Sequence, residues 1–238
     1  LPAFLVDGIL LLDAGTIGSV LNLKAQSRIR DILITHAHLD HIKAIPFFAD
    51  NLSTCGFYRT VSVRSTREIL NILKENLFNG LVWPDFSKIP TTKKPAIRFE
   101  ALFAEKAVQL VKHRVTAFSV DHKSPALAFL VENGKGKRVL YTGDTGPTER
   151  IWKVCSEKPL DAVIAEVTYP NRMSETAIQS GHLTPELLAW EMRKIRNASP
   201  IFLISHSKPL FLAEIKRELE MIERKGVEIL QDGQVIDL

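Results

Sequence analysis

The sequence predicts an α/β (α+β) protein: an αβ/βα four-layer sandwich of two mixed β-sheets flanked by helices. Strand-like apolar runs occur in both halves of the chain, helical segments are interspersed in each half, and several strand runs end in His or Asp. That order fits two packed sheets with helices outside better than a single parallel sheet.

The elements follow from local pattern. Ala3–Val6 and Ile9–Leu12 flank Asp7-Gly8, a type I′ hairpin signal. Ile32-Leu33-Ile34 reads as a buried strand, and Leu39 to Asp50 as the helix after it. Val61-Ser62-Val63 is a short strand, with helical periodicity from Arg64 to Leu77 behind a Ser65/Thr66 cap. Gly80 to Lys94, rich in Pro and aromatics, reads as an ordered loop. Strands are expected at Ile97–Phe99, Gln109–Val111, Val115–Val120, Ala126–Val131, Arg138–Tyr141, Asp161–Val167 and Ile201–Ile204. Thr184-Pro185-Glu186 opens a helix with a cap and a first-turn proline. Leu210 to Lys225 is an amphipathic helix stopped by Gly226, and Glu228 to Ile236 reads as a final hairpin.

Composition bounds the class. The 238 residues are 45% hydrophobic and 24% charged, as in a globular protein with a sizeable core, and no low-complexity linker divides residues 1–238 into more than one domain. A net charge of +4 is compatible with a phosphate-bearing substrate and equally with a mildly basic solvated surface. Cys55 and Cys155 form no Cys-x-x-Cys pair and are expected to be small buried residues. No apolar run is long enough to span a bilayer, so a cytoplasmic protein without membrane contact is expected. The sequence begins Leu1-Pro2 instead of Met, so residues upstream are expected and a signal peptide is left open.

The run Thr35-His36-Ala37-His38-Leu39-Asp40-His41 carries most of the functional information. It follows an apolar strand and precedes a helix, so it lies at the carboxyl end of a sheet, where α/β proteins build sites. Three imidazoles and a carboxylate beside a core are costly unless something binds them, and a divalent metal does so. Alternate residues of an extended segment point the same way, so His36 and His38 can share one ion. Asp40 and His41, on the turn into the helix, are aimed towards a second. Further segments end in metal-competent residues: Asp121-His122, Gly143-Asp144, Gly181-His182 and Ser205-His206. His113, between Lys112 and Arg114, is expected at the surface.

These motifs resemble the metallo-β-lactamase superfamily, whose first metal motif is His-x-His-x-Asp-His, over essentially the whole chain. The resemblance implies that His36, His38 and His122 hold one metal, that Asp40, His41 and His206 hold the other, and that Asp144 bridges them. It also implies that the family's first strand is missing or truncated here. A narrower likeness is to class II cyclic-nucleotide phosphodiesterases. It rests on the first motif followed by Ile45-Pro46 and Asp50-Asn51, on Asn79-Gly80-Leu81-Val82-Trp83-Pro84-Asp85-Phe86, on Tyr169-Pro170-Asn171 ahead of Gly181-His182-Leu183-Thr184-Pro185, and on Ser205-His206-Ser207-Lys208-Pro209. Lys43 departs from that class, which usually has Gly or Ser there.

The likeness implies hydrolysis of 3′,5′-cyclic AMP or cyclic GMP to nucleoside 5′-monophosphates through a two-metal, bridging-hydroxide mechanism. Two divalent ions, zinc with iron or manganese as alternatives, would clamp the phosphodiester for in-line displacement. Asp40 counts among the catalytic groups. His182, oriented by Glu166, is the candidate proton donor to the departing ribose oxygen. Glu166 reads equally as a strand-end carboxylate capping a loop, and His182 as a structural histidine. Trp83 and Phe86 can stack on a base or pin their loop as core residues. Lys208 can touch a phosphate oxygen or sit solvated. Asn171 completes the candidate substrate contacts. The expected partner is the small-molecule cyclic nucleotide, with no stable nucleic-acid partner and with the Pro-rich loop a candidate homodimer contact.

Four rival readings accompany this one. A tRNA 3′-processing endonuclease shares the ligands and the Glu/His pair, but no Gly/Lys-rich arm insertion is visible. A β-lactamase would have Cys instead of Asp at the late bridging position, and an iron-dependent oxygen reductase a carboxylate where His38 stands. A non-catalytic binding protein of this fold would lack ligands, and none is missing.

Overall fold

The structure is a computed structural model, and it describes residues 1–56, 59–195, 199–222 and 226–238. The chain packs into two compact units, Leu1–Phe103 and Ala104–Leu238.

The first unit is built on a five-stranded mixed sheet. Its strands are β1 (Phe4–Val6), β2 (Leu10–Leu12), β3 (Asp31–Leu33), β4 (Val61–Ser65) and β5 (Ile97–Ala101), in that spatial order. The β1–β2 pair is antiparallel and the rest are parallel. Asp7 and Gly8 both have positive φ, at 48° and 70°, and Ile9 N donates to Val6 O at 3.1 Å, which is the expected type I′ turn. Helices α1 (Leu23–Gln26), α2 (Leu39–Ile42), α3 (Ile45–Thr54) and α4 (Arg67–Asn76) fill the connections.

The single helix expected over Leu39–Asp50 is two helices, and the backbone gives the reason. Ala44 N donates to Ala14 O at 2.9 Å, outside the helix, and Pro46 has no N–H to continue the ladder. The next strand runs on to Ser65, and Thr66 alone caps α4 by accepting from Ile69 N. Cys55, expected to be buried, is exposed at the end of α3.

The second unit holds a seven-stranded sheet: β6 (Ala107–Gln109), β7 (His113–Ser119), β8 (Leu127–Asn133), β9 (Arg138–Tyr141), β10 (Ala162–Glu166), β11 (Ile201–Ser205) and β12 (Val227–Ile229). Strands β6 to β9 form an antiparallel meander and β9 to β12 run parallel. Its helices are α5 (Arg150–Cys155), α6 (Ser174–Ser180), α7 (Pro185–Met192) and α8 (Leu212–Glu220). Trp152, Phe118, Phe202 and Leu188 are among the buried side chains of its core. Two antiparallel steps separate β7 from β9, so the carboxyl ends of β7, β9, β10 and β11 share one edge of this sheet.

Three expectations fail in this unit. β6 lies two residues earlier than Gln109–Val111, because the chain turns at Leu110, whose N donates to His113 O. His113 is 1% exposed despite its basic neighbours, since strand alternation turns Lys112 and Arg114 outward and the imidazole inward. The final hairpin is absent among the described residues: Val227–Ile229 pairs in parallel with β11, and the chain then turns at Gln231–Gln234 without a return strand. The last helix begins at Leu212, after a 3-10 turn at Pro209–Phe211, and ends at Glu220. Residues 223–225, to which that helix was expected to extend, lie outside the described residues. No helix among the described residues is long and apolar enough to cross a membrane.

Candidate metal centre

In the first unit, β3 delivers Thr35–His41 to its carboxyl end. His36 Nε2 and His38 Nδ1 stand 2.9 Å apart, a spacing that bonds of about 2.0–2.1 Å to one ion accommodate. His41 Nε2 and Asp40 Oδ2 are 3.8 Å apart. Behind them is a residue outside the predicted ligand set, just after β2. Asp13 is fully buried, and its Oδ2 lies 2.7 Å from His41 Nδ1 and accepts from Thr35 Oγ1 at 2.7 Å, while Oδ1 accepts from Thr35 N at 2.7 Å. A carboxylate can only accept, so His41 Nδ1 carries the proton and Nε2 the lone pair. The Thr35 hydroxyl proton is committed to Asp13. His36 Nδ1, 3.1 Å from that hydroxyl, therefore donates to it, and His36 Nε2 likewise carries the lone pair.

Glycine fixes the approach of this segment. A Cβ on Gly15 would stand 1.9 Å from Asp40 O and 2.8 Å from Pro2 O. The backbone of residues 13–15 is thereby held against the motif, with Ala14 N donating to His41 O at 2.7 Å.

In the second unit the shared edge gathers Asp144 (after β9), Glu166 (ending β10), His206 (after β11) and His122 (after β7). Asp144, His182 and His206 each present a ligand atom within 4.8 Å of the other two. His206 Nε2 is 3.4 Å from Asp144 Oδ2. His206 takes a positive φ of 64°, a conformation L residues avoid and one that recurs at functional sites.

The imidazoles here are oriented in the same way as in the first unit. His122 Nδ1 donates to Gly181 O at 2.8 Å and His182 Nδ1 to Glu166 Oε1 at 2.8 Å. Thr168 donates its hydroxyl proton to Glu166 Oε2 at 2.7 Å and so accepts from His206 Nδ1 at 2.8 Å. Thr168 is the second functional residue missed from sequence; a Thr two places after Glu166 carries no distinctive signal. Burial works against the charge on His182, yet the hydrogen bond and charge of Glu166, with the charge of Asp144, outweigh it and raise its pKa above the ordinary imidazole value.

Four imidazoles, His36, His41, His122 and His206, thus have Nδ1 committed to an oxygen partner and a lone pair on Nε2, as histidines do when an outer acceptor orients a metal ligand, and His182 Nδ1 is oriented in the same way by Glu166. Neutral imidazoles with carboxylates suit zinc, iron or manganese. The His and Asp groups are chemically fit to bind metal ions.

A family model described as a β-lactamase superfamily domain matches residues 10–203. The chain belongs to the metallo-β-lactamase superfamily. It is 26% identical over 207 residues to a protein of Yersinia pestis named as a probable 3′,5′-cyclic-nucleotide phosphodiesterase, covering 77% of this chain and 58% of that one. The chain therefore spans little more than half of that relative's length. Yeast PDE1, in its unliganded crystal structure, superimposes with a TM-score of 0.77 at 18% identity, covering 89% of this chain and 69% of that one. The short form of human tRNase Z does so with a TM-score of 0.69 at 21% identity, covering 99% and 90%. These two likenesses concern the fold, a metallo-β-lactamase fold of two mixed sheets flanked by helices.

The remaining candidate residues of this superfamily member are spread more widely. Phe86 is 5% exposed and belongs to the core, with its backbone O accepting from Ile97 N, so it pins the loop. Trp83 on the same loop is half-buried, its ring 5.0 Å from Phe47. Asn171 Oδ1 accepts from Glu186 N at 2.8 Å in the first turn of α7, which commits that oxygen to the helix and not to a substrate. Lys208 is exposed, its ammonium 5.3 Å from the centre of the Tyr169 ring.

Proposed function

We propose that this superfamily member is a metal-dependent phosphodiesterase that hydrolyses 3′,5′-cyclic nucleotides to nucleoside 5′-monophosphates. The observation that carries the reading is the shared orientation of five imidazoles by outer acceptors in Asp13, Thr35, Thr168, Gly181 and Glu166. The names of the relatives direct it to cyclic nucleotides. In this reading His36, His38 and His122 would hold one ion and Asp40, His41 and His206 a second, with Asp144 shared by both. Two bound divalent ions, zinc in the first instance, would polarise the phosphodiester and lower the pKa of an attacking water.

The chain's own residues supply the rest. Glu166 fixes the His182 ring through Nδ1, and protonated Nε2 delivers a proton to the ribose 3′ oxygen as its bond to phosphorus breaks. Lys208, exposed beside His206, contributes a positive charge towards a phosphate oxygen. Trp83, half-buried, would stack on a base, the role that burial denies Phe86.

A nuclease reading is favoured by one observation, 27% identity over 174 residues to a protein of Pyrobaculum calidifontis named ribonuclease Z. One experiment separates the two. Wild type and Asp144→Ala, each loaded with zinc, are incubated with cyclic AMP, cyclic GMP and a short RNA bearing a 3′ trailer. Nucleoside 5′-monophosphate made by wild type and not by the variant supports the phosphodiesterase. Trimmed RNA with intact cyclic nucleotides would replace it with the nuclease.

A further inference from the structure

A buried carboxylate in the second unit takes its hydrogen bonds from Trp152, Thr148 and Lys194 and from none of the candidate ligands. Glu191, near the end of α7, is 1% exposed. Its Oε2 accepts from Trp152 Nε1 at 2.5 Å and from Thr148 N at 3.1 Å, and its Oε1 accepts from Lys194 Nζ at 2.7 Å. Lys194 closes the arrangement by donating to Thr148 O at 2.8 Å and pairing with Glu149 at 2.6 Å. An ionised carboxylate buried this deeply loses several kcal/mol of hydration, and a close-packed apolar side chain of similar volume is often as stable or more so. Stability alone is therefore a weak reason for a charge at this position.

What the network grips is more informative. Thr148 lies four residues after Asp144. Between them the chain is held at its near end, where Thr145 N donates to Glu166 Oε1 at 3.3 Å and Gly146 N to Asp121 O at 2.7 Å. At its far end Glu191 and Lys194 take both the N–H and the C=O of Thr148, while Glu191 also fixes Trp152 of α5, the helix into which the segment runs. An apolar residue at 191 could fill the same volume and hold neither backbone group.

We propose that Glu191, with Lys194, is a positioning residue that clamps the far end of the 143–149 segment and so sets the placement of the Asp144 carboxylate. This deepens the metal-centre reading above and rests on it for its consequence at the ions, though not for the clamp itself.

The test uses the full chain in two states. In the metal-free state, hydrogen exchange is measured segment by segment for wild type, Glu191→Gln, Lys194→Met and Lys194→Arg. A control, Ile215→Val in the core under α8, supplies a destabilised protein with the clamp intact. Exchange over residues 143–149 rises at least tenfold in Glu191→Gln and Lys194→Met, stays near wild type in Lys194→Arg, and rises in the control no more than in its other segments. Uniform acceleration across the second unit, or no change at 143–149, would overturn the clamp. In the second state, zinc affinity is read by chelator competition, and the first two variants weaken it about tenfold or more while the control does not. Unchanged affinity beside a loosened segment overturns the claim on Asp144. Failure of wild type itself to take up zinc counts against the metal centre, and the exchange data still decide the clamp.

Discussion

At the scale of single residues, the outer acceptors decide what the imidazoles can do. Asp13 accepts from three donors, His41 Nδ1, Thr35 N and Thr35 Oγ1. Asp13→Asn would turn an amide N–H towards at least one of them, leaving two donors face to face in a dry site. Zinc affinity is expected to fall on the order of 10–100-fold, measured by chelator competition, with the far-ultraviolet spectrum unchanged. A second residue-scale prediction concerns pH. Asp161 accepts from Lys137 Nζ at 2.8 Å and Arg138 N at 2.8 Å, and these bonds, the lysine's foremost, lower its pKa. A carboxylate whose folded pKa is depressed stabilises the fold above its unfolded value near 4, and that contribution fades as pH falls through the folded value. Asp161→Asn should therefore cost about 0.5–1.5 kcal/mol in urea unfolding at pH 7. The gap from wild type should narrow as the pH is lowered below about 4. A gap that holds constant with pH would mean the charge contributes nothing.

At the scale of elements, the strand ends and helix ends aim the site. Gly181 closes α6 with φ of 73°, and its carbonyl receives His122 Nδ1. A Cβ there would stand 2.9 Å from His122 Cα and 3.0 Å from His122 Nδ1. Gly181→Ala meets both a left-handed backbone and the histidine it supports. Unfolding stability should fall by roughly 1 kcal/mol or more, and zinc affinity should fall with it. Equal zinc affinity in the variant would show that this turn does not position His122. Such effects explain how much of the elements was legible in sequence. The Asp7-Gly8 turn, the Thr184-Pro185 helix start and the motif after Ile32–Ile34 each carry their reason within a few residues. The break between α2 and α3 does not, because it depends on Ala44 N finding Ala14 O, thirty residues back. His113 was misplaced because its charged neighbours outweighed an alternation that only the paired strand makes decisive.

At the scale of the whole molecule, the proposed ligands come from four separate segments of the chain. A ligand that binds only the folded protein stabilises it by mass action, about 2.7 kcal/mol at a concentration 100 times its dissociation constant. Zinc should raise the melting temperature of wild type and a chelator should reverse it, whereas Asp144→Ala, having lost the proposed bridge, should show a much smaller rise. An equal rise in the variant would remove Asp144 from the metal site.

The sequence by itself determined the class of chemistry. His-x-His-x-Asp-His beside an apolar strand, and three later strand ends with a His or Asp, need no tertiary contact to be recognised, because ligand type and strand period are local properties. Only the tertiary structure decided which side chains orient those ligands and which candidates do other work. Asp13 and Thr168 meet their imidazoles across 28 and 38 residues of chain, Asn171 is drawn into capping α7, and Phe86 is buried. Hydrogen bonding and burial depend on neighbours that folding brings together from distant parts of the chain, and no local pattern encodes them.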